Sequence, residues 1–372
     1  MSTAGVTETN REVPPLELAP ARPEDAPELV AFHNRTYGAR RTSDFWNWKY
    51  RDHLPGKSVY VVARSGGDVV GTQGMIPIRL CLAERVELTG KSENSLVDTG
   101  FRGRGLWNRM YREALAQCRD RGMTAVWGFT PVESARRGLA RLGFAIHDVM
   151  VQAVAVLNTG PMLKVIWNSQ ESILGRLGAA VATPGAWCWS KLRRRGSKND
   201  IEYGCGPFPA GLATGEIAAL YEHIDRDSPD LVHLDMNEEY LRWRVLEHPR
   251  FRHELWHARR NGKLVAIALV NESQLLRPAI LELAFVEQRD AAGLLARMTE
   301  LYTASGAGAL TFWANRTNRH GRMLLAAARG LGFFSRPARS SFVVKDIADS
   351  GEPRMDPSRW LLSALWFEGY AV

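Results

Sequence analysis

From Ser95 to Met110 the chain reads Ser-Leu-Val-Asp-Thr-Gly-Phe-Arg-Gly-Arg-Gly-Leu-Trp-Asn-Arg-Met, a strand-like start that breaks into a basic, glycine-rich turn and opens straight into a helix. Gly100, Gly103 and Gly105 permit positive φ and let main-chain N–H groups approach a ligand closely. A helix beginning near Leu106 aims its unpaired N–H groups and positive dipole end at the same point, and Arg102 and Arg104 add full charges. This arrangement suits the binding of a pyrophosphate. A basic glycine turn also serves as a plain connection, so the surrounding elements must decide.

Those elements form an ordered set. An amphipathic helix over residues 107–121 stops at Gly122, a strand follows over Thr124–Phe129, and Pro131 leads into a second helix over Ser134–Leu142, closed by Gly143-Phe144. The order strand, loop, helix, strand, helix, Gly-Phe over residues 60–157 resembles the core of the GNAT (GCN5-related N-acetyltransferase) superfamily. Arg102, Gly103, Arg104, Gly105 and Leu106 fit that family's pyrophosphate loop, Arg/Gln-x-x-Gly-x-Gly/Ala, while Trp107 stands where the family keeps a small residue.

The resemblance implies a mixed α/β fold in which two neighbouring strands, here residues 93–99 and 124–130, splay apart at the cofactor. Leu96, Val97 and Asp98 would pair with the pantetheine arm of an acyl-CoA, acetyl-CoA or a close relative, and residues 102–107 would hold its phosphates. It implies direct transfer of the acyl group to an amine, with no metal. Glu93 stands where many members place a carboxylate base, and Asp98 is the second candidate. Many members carry a tyrosine near the CoA sulfur at the position of Leu139, so water, Ser134 or a tyrosine from elsewhere, such as Tyr370, would protonate the leaving thiolate. No serine/histidine/aspartate set is legible, and a covalent acyl-enzyme is not required.

A second set of residues repeats the first. Phe45-Trp-Asn-Trp-Lys-Tyr-Arg-Asp-His53 recurs as Tyr240-Leu-Arg-Trp-Arg-Val-Leu-Glu-His248, matching Trp48 with Trp243 and His53 with His248. A hairpin follows each copy, turning at Ser65–Asp68 and at Arg260–Lys263, and each copy ends on a Gly-Phe corner, Gly143-Phe144 and Gly332-Phe333. The chain therefore reads as two GNAT-type units in tandem. Opposite the glycine loop the second copy has Val286-Glu-Gln-Arg-Asp-Ala-Ala-Gly293, whose carboxylates oppose phosphate binding. The second unit reads as a degenerate partner, and Trp48 and His53, present in both copies, read as packing residues.

Composition sets the frame. The 372 residues are 45% hydrophobic and 24% charged, enough for two cores and not a disordered chain. Four dispersed cysteines argue against zinc or disulfides and suit a cytoplasmic location. The net charge of +8 suits a CoA ligand, and its scattered arginines give no nucleic-acid platform. Residues 1–23 are expected to be a disordered arm, 24–159 the CoA-binding unit, 160–205 an interdomain helical insert with a basic run, 206–348 the second unit and 349–372 an aromatic tail that docks. The insert reads as helices burying an apolar face, with rest on a membrane surface as the lesser alternative. The expected acceptor is a small-molecule primary amine such as an amino sugar. A Fem-type aminoacyl-tRNA-dependent transferase and a non-catalytic CoA- or partner-binding module are the alternatives, and the oligomeric state is not legible.

Overall fold

The structure is a computed structural model that describes residues 15–54, 56–82, 85–160, 201–209, 214–271, 276–348 and 355–367. Of the insert expected over 160–205, residues 161–200 lie outside the described residues, as does Tyr370, while residues 201–205 belong to a strand and not to a helical linker. The chain divides into two compact units, one of Met1–Ile76 and Ser92–Arg121, the other of Pro77–Lys91 and Gly122–Val372.

The first unit holds β1 (Leu16–Pro20), α1 (Ala26–Tyr37), α2 (Ser43–Tyr50), β2 (Val59–Ser65), the first part of β3 (Asp68–Leu82), the last part of β4 (Arg85–Val97) and α3 (Leu106–Asp120). β1, β2 and β3 pair antiparallel in that order. Apolar residues at helical spacing, Leu106, Met110, Tyr111, Ala114, Leu115 and Cys118, are the buried face of α3. Two strand glycines let the helices come close: a Cβ on Gly71 would lie 2.8 Å from Met110 Sδ, and one on Gly74 would lie 2.6 Å from the Tyr50 hydroxyl.

The first unit corrects the expected arm. Leu16–Pro20 is a strand, with Leu16 opposite Ser65 and Pro20 opposite Val61. Its side chains are half-buried or exposed, so its order comes from main-chain pairing along the edge of β2, which no apolar pattern announces. Asp25 anchors the following turn, taking the Arg22 main-chain N–H at 2.8 Å and the Arg64 guanidinium at 3.2 Å.

The second unit continues β3 and β4 and adds β5 (Ala125–Thr130), α4 (Glu133–Arg141), β6 (Ala145–His147), β7 (Met150–Val156), β8 (Ile201–Pro207), α5 (Thr214–Asp227), β9 (Val232–Leu234) and α6 (Glu238–Leu241), which runs on into a π-helical turn, Arg242–Leu246. It closes with β10 (His253–Arg260), β11 (Lys263–Asn271), β12 (Ala279–Phe285), α7 (Gln288–Ala304), β13 (Ala309–Asn315), α8 (Arg319–Gly330), β14 (Phe334–Pro337) and β15 (Ser341–Asp346). Both expected hairpins are present, as β2–β3 and β10–β11.

Within the second unit the two repeats exchange strands. β15, from the end of the second repeat, lies between β5 and β6 and pairs antiparallel with both. β7, from the first repeat, lies between β13 and β14 in a seven-stranded sheet ordered β14-β7-β13-β12-β11-β10-β8. The compact units therefore do not follow the repeats. The core of that sheet packs Trp256, Phe285, Phe312 and Phe333 against Leu294, Leu295 and Met298 of α7.

Candidate active site

The glycine loop begins where β4 ends. Asp98 turns its carboxylate inward to accept the Gly100 N–H at 2.9 Å, Thr99–Phe101 makes one tight helical turn, and Arg102 donates from Nε to the Val97 carbonyl at 3.2 Å. Gly103 and Gly105 have φ of 76° and 72°, whereas Gly100 does not use the left-handed region. At Gly103 and Gly105 a side chain would meet open space, so it is the backbone conformation that calls for glycine. α3 starts from Gly105 with no side-chain cap and no acidic residue in its first turn. Its N–H groups therefore face outward beside the exposed Arg102 and Arg104. Leu106 is buried beneath the loop.

Trp107, the departure from the family loop, does not crowd the turn. Its indole N–H donates to Ser95 Oγ at 2.6 Å and its ring tilts onto Tyr111 at 4.8 Å. Tyr111 in turn donates to Ser92 Oγ at 2.7 Å, and burial pushes its hydroxyl well above the ordinary phenol range. Two bonds from α3 thus pin the last residues of β4.

Glu93 lies on this pinned stretch. The next residue, Asn94, has φ of 51°, a left-handed residue inside a strand. Arg41 holds its side chain at 2.8 Å and Thr72 its carbonyl at 3.0 Å. Such a residue breaks the in-out alternation of a strand and re-aims the side chain beside it. Glu93 points its carboxylate to within 3.6 Å of Lys49 Nζ, and Lys49 is 1% exposed against 15% for Glu93. Lys49 lines a small pocket together with His33, Arg41, Trp46, Tyr50, Tyr60 and Asn94 among others.

The structure brings Leu96, Val97, Asp98 and residues 102–107 together in the first unit as one continuous strand-loop-helix. Asp98 also holds the turn, through the Gly100 N–H. Ser134 is exposed in the first turn of α4 and Leu139 is buried on the same helix, both in the second unit. Lys49, Ser92 and Tyr111 were not singled out by sequence. For Lys49 a signal existed: the repeat aligns it with Arg244, a cation at the same helical place.

In the second repeat the corresponding helix start is closed. Glu287 and Asp290 cap α7 reciprocally, the Glu287 N–H donating to Asp290 at 3.1 Å, and Arg260 binds Asp290. The Tyr203 hydroxyl lies over Gly293, where a Cβ would meet it. The parallel strands repeat a pattern, however. β4 and β5 pair at Gly90–Val126 and Lys91–Trp127, and β12 and β13 at Ala279–Thr311 and Ile280–Phe312, two pairs each.

Beside β12 and β13 lies the chain's own tail. Asn315 donates to the carbonyls of Pro357 at 2.7 Å and Trp360 at 2.9 Å, and Ser363 donates to Glu282 at 2.6 Å. Buried Arg244 donates to the carbonyls of Leu365 and Phe367. Trp366 packs edge-on to Trp127 at 4.9 Å, and Phe367 stacks on Phe129 at 3.8 Å. Residues 355–367 thus pack against the chain through their aromatic side chains and main-chain carbonyls.

Burial pushes the Cys81 and Cys118 thiols up to about 12, so the thiolate form is disfavoured at both. Among the described residues no group of side chains is arranged to hold a metal ion, and no helix is long and apolar enough to cross a membrane.

With this geometry in view, residues 17–147 match the Acetyltransferase (GNAT) domain family. Similar solved structures include a probable N-acyltransferase from Enterococcus faecalis V583, 9% identical, with a TM-score of 0.61 over 90% of this chain and 73% of that one. A tandem GNAT protein from the clavulanic acid biosynthesis pathway is 13% identical, with a TM-score of 0.55 over 90% of this chain and 100% of that one. Saccharomyces cerevisiae N-myristoyltransferase with bound myristoylCoA is 10% identical, with a TM-score of 0.55 over 91% and 85%. No curated protein matches the chain by sequence. The family match places a GNAT domain over residues 17–147, and the likeness to these solved structures is one of fold, with two mixed sheets. This chain carries the GNAT domain in its first repeat. Enzymes of this class bind acyl-CoA and act on amine acceptors.

Proposed function

We propose that the protein transfers the acyl group of an acyl-CoA, in the first instance acetyl-CoA, to a primary amine on a small molecule such as an amino sugar, and that only the first repeat binds the donor. The observation that carries this reading is the contrast of two helix starts. α3 opens from a left-handed glycine, uncapped and flanked by Arg102 and Arg104, whereas α7 is capped by its own carboxylates. An anion is stabilised at the first and repelled at the second.

In this reading the main chain at Leu96–Asp98 pairs with the pantetheine arm and the phosphates rest on residues 102–107. The amine nitrogen attacks the thioester carbonyl, the carbon–sulfur bond breaks, and CoA leaves as a thiolate that water protonates, since Leu139 offers no proton. Glu93 takes the proton that the amine loses, directly or through a water molecule.

The test is calorimetry with acetyl-CoA. Arg104→Ala combined with Gly105→Glu removes a charge, adds an opposing one and forces a side chain into a positive-φ position. With charge-assisted hydrogen bonds worth about 1.5–3 kcal/mol each, the double variant should bind at least about tenfold more weakly. Wild-type protein should take up one equivalent. Unchanged affinity, or two equivalents per chain, would sink the assignment.

A further inference from the structure

We propose that Lys49 is the positioning residue for Glu93, a sealed ammonium that keeps the carboxylate ionised and aimed so that it can accept the amine's proton. This rests on the reading of Glu93 as the base.

Burying a lysine ammonium is costly unless a charge and hydrogen bonds compensate it, and an apolar replacement usually serves packing as well. α2 otherwise buries Phe45, Trp46, Trp48 and Tyr50, so an apolar residue at position 49 would suit the helix. The cation is present all the same, 3.6 Å from Glu93. The pair is unevenly wetted, with the ammonium sealed and the carboxylate partly open. That asymmetry suits a proton acceptor, because the group that holds the charge in place is out of solvent's reach and the group that must meet substrate is not.

The second repeat supplies an internal control. Arg244 occupies the equivalent helical place and is also buried, but its guanidinium binds the Leu365 and Phe367 carbonyls. Both repeats keep a basic side chain here, and in the repeat with the glycine loop a carboxylate lies beside it. Asn94, held in its left-handed conformation by Arg41 and Thr72, fixes the strand next to Glu93. The other ionisable groups around Lys49 are His33 on α1, Arg41 before α2, Tyr50 on α2 and Tyr60 on β2, with Lys91 two positions before Glu93 on β4. Lys49 and Arg41 are the lysine and arginine that line the pocket, and Arg41 is engaged by Asn94.

The sign follows from the charge. Glu93 works as a base only when ionised, and a cation within about 4–6 Å favours the ionised form by roughly 1–3 pH units. Lys49→Met should therefore move the acid limb of kcat/KM to higher pH by about one unit or more and lower kcat, while acetyl-CoA affinity stays at the wild-type value. Lys49→Arg should restore the limb. Lys49→Gln, which keeps a donor and drops the charge, runs beside Met in case that variant does not fold.

Turnover is followed as thiol release from acetyl-CoA with the best of a panel of primary amines that includes glucosamine. In parallel, the Glu93 carboxyl is titrated by NMR in resting protein with carboxyl-labelled glutamate, its signal assigned by its loss in Glu93→Gln. Lys49→Met/Glu93→Gln should be no slower than Glu93→Gln alone. If Glu93 titrates at the same pH in the Met and Gln variants as in wild type, the positioning role is overturned. If Glu93→Gln turns over normally while the Lys49 variants still shift the Glu93 titration, the ion pair stands and the base reading is what fails.

Discussion

Two carboxylates on the strands of the two short parallel ladders meet opposite surroundings. Glu93 on β4 has a buried ammonium beside it, while Glu282 on β12 is enclosed with Ser363 as its donor, and burial pushes its carboxyl up to about 7. A raised folded-state value means the neutral acid is the form the fold prefers. Its stabilising contribution is complete below the ordinary value of 4.5 and is lost as pH rises through about 7. Glu282→Gln should therefore gain stability relative to wild type between about pH 5 and pH 8, read as the difference in melting temperature at the two values. A constant difference would show that Glu282 titrates normally. Neither environment was legible in sequence, because a strand glutamate looks the same whether it meets a lysine or a serine from a distant segment. Glu93 stands out in the sequence only through the loop that follows it. Lys49 was passed over because an isolated basic residue in an aromatic helix has no pattern of its own until its repeat partner is compared.

At the scale of elements, helix starts and caps were the most legible feature. The stop at Gly122, the uncapped opening at Gly105 and the acidic opening at Glu287 are all local, and local chemistry is what a sequence states directly. The edge strand β1 and the docking partners of the tail were not legible, since pairing and docking depend on surfaces contributed from far along the chain. Arg244 links its helix to the tail by two hydrogen bonds to carbonyls. Arg244→Met should cost about 1–3 kcal/mol by leaving buried carbonyls unpaired. Trp366→Ala, which empties the space against Trp127 and Trp360, should cost about 3–5 kcal/mol. Chemical denaturation measures both, and losses below about 0.5 kcal/mol would mean that the tail is only lightly attached.

For the whole molecule, buried histidines set the acid side of stability. Burial is the leading cause that holds His248 at about 2, His253 at about 4 and His320 at about 3, so each stays neutral in the fold and takes up a proton on unfolding below its ordinary 6.5. Their contribution is present above that value and is lost as pH falls. Burial raises the carboxyls of Glu282, Asp235 and Asp290 and so opposes this, while His147 and His257 are lowered as well and add to the three; the histidines outweigh the carboxyls, so the melting temperature should fall between about pH 7 and pH 5. A flat or rising profile would contradict the buried, neutral histidines.

The exchange of β7 and β15 bears on how the chain is made. Thr130 and Ser341 are separated by more than half of the 372 residues, yet the strands they belong to are direct neighbours. On the ribosome, β5 and β6 emerge long before the strand that belongs between them, and they wait with unpaired edges that invite wrong partners. The nascent chain is therefore committed to a long vulnerable interval, and its length is set by translation speed through the second repeat. Slowing synthesis after residue 147 should increase capture of the growing chain by chaperones, whereas slowing it after residue 346 should not.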